Sequence, residues 1–166
     1  MKTIKISLLA MVLMFIVTSC SKDDNIVEEA NYSIDLNLAQ ETDWLLADDI
    51  LVLINEHRTS LGLTKIKRDQ QYASAYAVDH TKYMIENNRV NHDNFGVRSA
   101  ALKDNGAKRV GENVAYGYET AEDVVYAWLH SPAHKDIIEG DYTHSGFGVI
   151  PNENGTYFYT QLFYSK

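Results

Sequence analysis

Apolar residues recur at helical spacing in two long stretches of the first half of the chain. Over residues 43–61 they fall mainly on one face, where Thr42 or Asp43 can cap the start of the helix and Gly62 can end it. Over residues 69–88 a stripe of small and aromatic side chains has the same spacing. The pattern predicts two helices, and the small residues of the second allow close packing against another element.

The middle of the chain has shorter patterns separated by glycine and proline. Residues 98–105 predict a short helix closed by Gly106, and the glycine-punctuated residues 109–117 predict a short strand. Thr120 resembles the start of a capping box. The helix that follows it has apolar residues at positions i, i+3, i+4 and i+7, namely Ala121, Val124, Val125 and Trp128. Ser131 can cap, and Pro132 can begin, a further short helix to about residue 138.

The end of the chain predicts a β-hairpin. Residues 145–150 and 156–164 are rich in strand-forming side chains, and residues 151–155 between them are typical of a turn. Helices at the front, one helix in the middle and a hairpin at the end predict an α+β domain built in layers.

The first twenty residues have a different pattern. Lys2 and Lys5 precede an apolar stretch, residues 6–17, that is too short for an ordinary membrane span and typical of a signal peptide. Small residues before Cys20, the only cysteine, resemble a bacterial lipobox, in which the signal is cut before the cysteine and the thiol is lipidated. Plain secretion with an incidental cysteine is the alternative. We therefore predict a lipoprotein signal peptide (1–19), a lipidated Cys20 with a flexible acidic tether (20–42), and a folded domain (43–166).

These features predict a lipoprotein of the bacterial cell envelope, attached to the outer membrane through its N-terminal lipid anchor. Residues 21–24, Ser-Lys-Asp-Asp, are similar to a surface-export signal of some Gram-negative lipoproteins. Ordinary linker composition explains them equally well. The sequence therefore leaves open whether the protein faces the periplasm or the cell surface.

The charge of the chain limits its partners. Removing the signal peptide takes Lys2 and Lys5 from the 15 basic residues, which leaves 13 basic and 23 acidic residues and a formal net charge of −10. Such a field repels phosphate backbones, so we expect no nucleic-acid partner. It also opposes electrostatic attraction to an anionic membrane, so the lipid is expected to supply the attachment. Without a cysteine in the folded domain, no intramolecular disulfide stabilises it.

Three polar residues form the candidate site. His92 lies in a polar turn, Glu112 follows a glycine, and His134 follows the proline-marked helix break. Two imidazoles and a carboxylate suit Zn²⁺ or another divalent cation. The residues are twenty and twenty-two positions apart, and without a metal Glu112 and a histidine could form a proton-transfer pair. Their spacing alone slightly favours a purely structural polar cluster. The first helical turn favours a neutral imidazole at His134, which is the form that binds metal.

The remaining polar positions are predicted to be structural. Residues 55–58 form a polar patch that we expect to be a satisfied hydrogen-bond network. His80 lies on the stripe of the second predicted helix and is expected to be a hydrogen-bonded core histidine. His130 and His144 lie near the candidate residues in sequence and could contribute to the site, although His144 is expected to be structural.

Six short sequence motifs follow one another along residues 43–166. They are residues 55–58 (Asn-Glu-His-Arg) with Gly62-Leu63, the second helix ending in Met84 before His92, residues 111–115 (Gly-Glu-Asn-Val-Ala), residues 124–134 with Trp128, Ser131-Pro132 and His134, residues 143–148 (Thr-His-Ser-Gly-Phe-Gly), and residues 159–163 (Tyr-Thr-Gln-Leu-Phe). Each is modest alone, but the ordered set resembles the CAP superfamily of cysteine-rich secretory proteins, antigen 5 and plant pathogenesis-related proteins, in its bacterial SCP-like form.

The resemblance implies an α-β-α sandwich with a central cleft. In that cleft His92, Glu112 and His134 would hold a divalent ion, often zinc, and the cleft would be framed by Asn113, Trp128 and Ser131. The eukaryotic pattern carries a second glutamate where this chain has Ser131. The missing carboxylate weakens ion binding and removes one general-base candidate.

The resemblance favours a binding or interaction module, with a lipid, small molecule or protein as the ligand of the cleft. One alternative is a metal-assisted hydrolase of peptide, ester or cell-wall substrates, with Glu112 as the catalytic general base. Another is a scaffold in which the three polar residues only hold the layers together. The domain has no cysteine and no Gly-x-Ser-x-Gly motif to supply a nucleophile.

Overall fold

A computed structural model describes residues 33–166. Its helices, in chain order, are a 3-10 helix at Leu36–Glu41, α1 at Trp44–Ser60, α2 at Tyr72–Glu86, α3 at Phe95–Asp104, α4 at Ala121–Leu129 and α5 at Pro132–Ile138. Its strands are β1 at Lys67–Arg68, β2 at Arg109–Tyr116, β3 at His144–Pro151 and β4 at Tyr157–Ser165. No helix within residues 33–166 is long and apolar enough to cross a bilayer. The predicted signal peptide, Cys20 and the tether up to residue 32 lie outside the described residues.

The strands form one sheet in the order β1-β3-β4-β2. The hairpin strands β3 and β4 are antiparallel, β2 pairs antiparallel with β4, and β1 pairs parallel with β3. Sequence patterns predicted β2 and the hairpin but not β1, because two residues are too few to display an alternating pattern. The position of β2 at the sheet edge leaves its outer side to the helices α3 and α5, both of which contact it.

Helices cover both faces of the sheet. On one face α1, α4 and α5 share a core cluster with Phe147, Tyr159 and Phe163. On the other face α2 and α3 share a second cluster with Leu162 and Tyr164, and the 3-10 helix contacts α2. The alternation of side chains along β4 explains why neighbouring residues serve opposite layers. The predicted α+β class and α-β-α sandwich are confirmed.

Two glycines of β3 let α2 lie directly on the sheet. A Cβ at Gly146 would lie 2.4 Å from the carbonyl carbon of Ala73, and one at Gly148 would lie 2.4 Å from the carbonyl oxygen of Ala77. Both neighbours are backbone atoms of α2, which cannot rotate away as a side chain would. The close packing predicted from the small residues of the second helix thus brings Ala73 and Ala77 against the two glycines of the strand.

The domain begins earlier than the predicted boundary at residue 43. Residues 36–41 form the 3-10 helix, and the Asp35 carboxylate accepts a hydrogen bond from the Asn37 backbone amide at 2.9 Å. The Thr42 hydroxyl donates to the Phe147 carbonyl at 2.7 Å, and the Asp43 amide donates to the Val149 carbonyl. The flexible tether predicted for 20–42 is therefore wrong for this segment, because a short 3-10 turn has a period of three that a search for α-helical spacing misses.

The predicted starts of α1, α4 and α5 are correct in position, with one difference in chemistry. Helix α2 begins three residues later than predicted and α3 three residues earlier. Asp43 caps α1 through the Leu46 amide, and Thr120 caps α4 through the Asp123 amide, each at 3.2 Å. Ser131 occupies the capping position of α5, but its side chain makes no capping hydrogen bond. Pro132 instead begins that helix, since its fixed φ suits the first helical residue.

The polar patch at the end of α1 is a satisfied network, as predicted. The Asn55 side chain bonds both the amide and the carbonyl of Ile66. Arg58 is 2% exposed and donates to four backbone carbonyls, those of Thr64, Ile138, Gly140 and Tyr142. This network ties the end of α1 to the segment between α5 and β3.

Candidate functional site

The edge strand β2 presents its neighbouring polar residues to opposite layers. Glu112 meets Arg98 of α3, whereas the Asn113 side-chain amide donates to the His134 carbonyl of α5 at 3.2 Å. Side chains alternate along a strand, so two consecutive residues cannot face the same layer. The backbone of His134 therefore lies on the α5 side of β2, whereas the Glu112 carboxylate faces α3.

Glu112 is buried in an ion pair with Arg98. Its side chain is 1% exposed, and that of Arg98 is 5% exposed. Arg98 donates through Nε to Oε2 at 2.7 Å and through Nη2 to Oε1 at 2.9 Å. Its third nitrogen, Nη1, donates to the Asp93 carbonyl at 2.7 Å. This two-point contact fixes the plane of the carboxylate and neutralises its charge.

His92 covers the carboxylate from the solvent side. Its Nδ1 lies 2.8 Å from Oε1 of Glu112, and its side chain is 53% exposed. The loop that carries it is held by the Phe95 amide, which donates to the His92 carbonyl, and by Asn94, whose φ of +58° turns the chain into α3. The ring's Nε2 has no hydrogen-bond partner within residues 33–166. In the described part of the chain, the Nε2 atom of His92 is therefore left without a partner above the buried ion pair of Arg98 and Glu112.

The charges of the site hold Glu112 ionised. Burial alone would raise the pKa of Glu112, but the hydrogen bonds from His92 and Arg98 and the Arg98 charge outweigh it and hold the pKa below its usual value. Burial lowers the pKa of His134, and the neighbouring His92 lowers it further. At neutral pH the site thus combines a carboxylate, a guanidinium and a neutral His134.

His80 supports the site from α2. It is 2% exposed, and its Nε2 lies 2.9 Å from the Asn91 carbonyl in the loop that carries His92. Burial lowers the pKa of His80, and the Arg98 charge lowers it further. The predicted hydrogen-bonded core histidine is confirmed, and its partner places it directly behind the candidate site.

The three residues predicted to frame the cleft have different roles. Asn113 is fully buried and joins β2 to α5, as described above. The indole nitrogen of Trp128 donates to the Val114 carbonyl at 3.2 Å, which joins α4 to the outer side of the edge strand. Ser131 is half-buried at the start of α5. Together they hold α4 and α5 against β2.

The other two histidines near the site in sequence make contacts elsewhere. His130 is exposed on α4, where its ring stacks on Tyr126 and its Nδ1 lies 2.8 Å from the Tyr126 carbonyl. His144 begins β3, stacks on Tyr164 and hydrogen-bonds the Thr143 hydroxyl. Neither has a contact with His92 or Glu112.

The metal-binding prediction can be compared with this geometry. No cluster of three or more histidine, cysteine or acidic side chains in the described part of the chain is arranged to hold a metal ion. Both oxygens of Glu112 are already bonded to Arg98 and His92. The residues present fit an arrangement in which His92 and His134 would be the ligands and Glu112 would orient His92, a role that carboxylates often have beside metal-bound histidines. The three-residue metal site stays a prediction.

Arg98 is the residue that sequence analysis missed. It lies on the buried face of α3 with Leu102, and the half-buried Phe95 and Ala101 lie nearby on the same helix. The spacing of these four residues was a usable signal, because a charge on an apolar helical stripe requires a buried partner. The partner, fourteen residues later on β2, follows only from the docking of α3.

Comparisons with known proteins agree with the fold. Residues 51–163 match the family model described as CAP, the cysteine-rich secretory protein family. The chain is 36% identical over 124 residues to the uncharacterized membrane protein YlbC of Bacillus subtilis, a match that covers 70% of this chain but 34% of that relative. The chain thus spans about a third of that relative's length.

Solved structures show the same similarity. An outer surface protein of Borrelia burgdorferi matches with a TM-score of 0.61 and 26% identity, over 72% of this chain and 93% of that one. An extracellular SCP-domain protein of Bacillus anthracis matches with a TM-score of 0.59 and 28% identity, over 72% of this chain and 40% of that one. The family match spans more than half of the chain and the ordered motifs lie within the same fold, so this chain belongs to the CAP family of cysteine-rich secretory proteins.

Proposed function

We propose that the protein is an extracytoplasmic CAP-domain module that binds a ligand at the cleft beside His92. The observation that supports binding over catalysis is the Arg98–Glu112 pair. A general base needs a free carboxylate oxygen within reach of a proton. Glu112 is buried, held ionised and bonded through both oxygens, so it is poorly suited to serve as the base of a hydrolase.

A divalent cation, Zn²⁺ in the first instance, is the proposed cofactor of the cleft. His92 and His134 would supply the ligand nitrogens, and Glu112 would fix the ring of His92 through Nδ1. Once bound, the ion would add positive charge and open coordination positions at the mouth of the cleft. A lipid, a small molecule or a protein side chain with an oxygen donor would suit such positions.

The proposed location is the bacterial cell envelope, with attachment to the outer membrane through lipid on Cys20. The lipobox-like residues before Cys20 support this proposal. The similar proteins include a membrane protein, an outer surface protein and an extracellular protein. Exposure on the cell surface is part of the proposal and depends on residues 21–24 acting as an export signal.

Zinc binding tests the proposed ion site. We expect the purified protein to take up one zinc ion per chain in equilibrium dialysis, and His92→Ala with His134→Ala to abolish uptake because both ligand nitrogens are lost. The matched control is His57→Ala with His130→Ala, which removes two histidines that bond to Glu139 and Tyr126 and should leave uptake unchanged. Stoichiometric binding that survives the first pair of substitutions would refute the assignment.

A scaffold without a working cleft is the second candidate. It is favoured by the way β2 is bonded to α3 through Glu112 and to α5 through Asn113. Glu112→Ala separates the two candidates when thermal unfolding and zinc affinity are measured on the same protein. A large loss of stability with unchanged zinc affinity would favour the scaffold, whereas a loss of affinity would favour the ion site.

A further inference from the structure

Five basic side chains gather at one end of the sheet. All five are exposed to solvent, and none forms an ion pair with a carboxylate within residues 33–166. They are Lys67, Lys103, Lys108, Arg109 and Lys166. We call this group the basic end. Most other exposed basic residues are paired, as in Arg68 with Asp48, Lys82 with Glu41 and Lys135 with Glu139. Lys65, two residues before Lys67, is the exception within residues 33–166, so the unpaired positive charge is concentrated at this end of the sheet.

Strand register brings the basic end together. Lys67 of β1 lies opposite His144 of β3, His144 lies opposite Tyr164 of β4, and Arg109 of β2 lies opposite Ser165. Three steps between neighbouring strands separate Lys67 from Arg109, a width of about 14 Å. The end of α3 adds Lys103 beside the start of β2. The charges therefore form a band across the full width of the sheet.

Aromatic rings hold part of this band in place. The guanidinium of Arg109 lies 5.8 Å from the ring centre of Tyr142, and the ammonium of Lys166 lies 5.6 Å from that of Tyr164. Such contacts orient a cation without neutralising it. One nearby carboxylate, Asp69, accepts from backbone amides of α2 and from the Tyr164 hydroxyl. Two exposed acidic residues lie in this region, Asp104 at the end of α3 and Asp141 beside Tyr142.

The opposite end of the sheet is acidic. Asp43, Glu119 and Asp123 all lie near enough to Tyr159 to raise its pKa together with burial, the largest cause. Glu153 lies in the hairpin turn at that end. The two ends of the strands therefore carry opposite charge, although the described residues have 19 acidic and 12 basic side chains overall. Overall charge opposes contact with an anionic surface, but this distribution allows it in one orientation.

The described chain also enters the domain on the basic side. Ile34 packs on the core cluster that contains Ala73, Ala107 and Tyr164. From there the 3-10 helix leads towards Asp43, whose amide bonds to Val149 near the acidic end. The first described residues thus pack near the basic end.

We propose that the basic end docks the domain on an anionic phospholipid surface, as a second attachment beside the proposed lipid anchor. A planar surface meets only this end of the sheet, whereas a long nucleic acid would extend past it onto acidic surface and be repelled. Each basic residue close to an anionic membrane strengthens binding by about fivefold. Stable attachment of acylated proteins commonly combines a lipid with such a patch.

Vesicle co-sedimentation of the full, processed chain tests this docking. The probes are vesicles of phosphatidylcholine alone and of phosphatidylcholine with about 30% phosphatidylglycerol, which gives a clearly anionic surface. We expect the wild type to prefer the anionic vesicles and to lose that preference at about 1 M salt. Lys67→Gln, Lys108→Gln and Lys166→Gln together should reduce the preference by about tenfold or more, since three charges are removed.

The matched control neutralises three basic residues elsewhere, each paired with a carboxylate, through Lys82→Gln, Arg89→Gln and Lys135→Gln. It has the same net charge and should keep the wild-type preference. Equal weakening by both triple variants, no preference of the wild type for anionic vesicles, or tighter binding of duplex DNA than of these vesicles would each overturn the proposal. The basic end contains no proposed zinc ligand, so its variants should bind zinc normally, and failure of either proposal leaves the other to be judged by its own measurement.

Discussion

At the scale of single residues, the buried pair of Arg98 and Glu112 dominates the site. Each charge is almost fully removed from water and compensates the other with two short hydrogen bonds. Such pairs contribute little compared with a well-packed apolar pair, but removing one partner leaves an uncompensated buried charge. The pair therefore makes the site rigid and also sensitive to single substitutions.

Arg98→Met should lower the free energy of unfolding by about 3–5 kcal/mol, because it leaves the Glu112 carboxylate buried without its counter-charge. Urea denaturation measures this loss. Arg98→Met with Glu112→Gln should recover a large part of it, since no charge is then left unpaired. Arg89→Met, which breaks the exposed pair with Asp93, is the control and should cost less than about 1 kcal/mol. Equal losses in the single and double variants would contradict this account.

His80 predicts a dependence of stability on pH. Burial first and the Arg98 charge second lower the pKa of His80 in the folded protein. The unfolded chain takes up the proton near the ordinary histidine pKa of about 6.5. The contribution of neutral His80 to stability is therefore complete above about pH 6.5 and is lost as the pH falls below it.

His80→Gln should accordingly flatten the decline of unfolding free energy between about pH 7 and pH 5, as followed by urea denaturation at each pH. A residual slope will remain, because the pKa values of His134 and His144 are lowered in the same direction. Ile85→Ala, in the same helix, removes no titrating group and should shift the whole curve without changing its slope. An unchanged slope in the His80 variant would exclude this residue as the cause.

At the scale of elements, the contact between α2 and β3 depends on the absence of side chains. Gly146 and Gly148 face backbone atoms of α2 at distances that no Cβ can occupy. The helix would have to move away from the strand to accept any larger residue. Since α2 carries His80 and the loop after it carries His92, the position of this helix also determines the geometry of the site.

Gly148→Ala should destabilise the domain by about 1–3 kcal/mol or more, because the new methyl group would overlap the Ala77 carbonyl. Thermal unfolding measures the effect. Gly96→Ala is the matched control, since nothing lies within 4 Å of its Cβ position in the exposed part of α3. The control should be neutral or stabilise by up to about 1 kcal/mol, as expected for alanine in a helix. Similar losses in both variants would show that the close approach is not the cause.

At the scale of the whole molecule, sequence patterns predicted the elements better than the site. Helical spacing located α1, α2 and α4, and turn-forming residues located the hairpin, because these signals are local. The 3-10 helix and β1 are too short to display a period. Arg98 carried a local signal, a charge on an apolar stripe, but its partner Glu112 depends on how α3 docks against the sheet.

Resemblance to a family supplied the candidate site residues, which stay a prediction, but not the contacts that these residues make. Glu112 and Asn113 are neighbours in the chain, yet the alternation of β2 sends them to different layers. Net charge was likewise a poor guide to local fields, because the cations of the basic end and the carboxylates of the far end cancel in a sum. Such properties follow from three-dimensional positions and cannot be derived from residue counts.

The position of β2 at the sheet edge has a consequence for local unfolding. An edge strand has one strand partner, so separation of β2 from β4 alone would release it from the sheet. That separation would remove the Glu112–Arg98 pair, the Asn113 bond to α5 and the Trp128 bond to Val114 in a single event. The two helical layers are thus joined into one cooperative unit at this edge, and a ligand that holds His92 in place would protect the backbone of both.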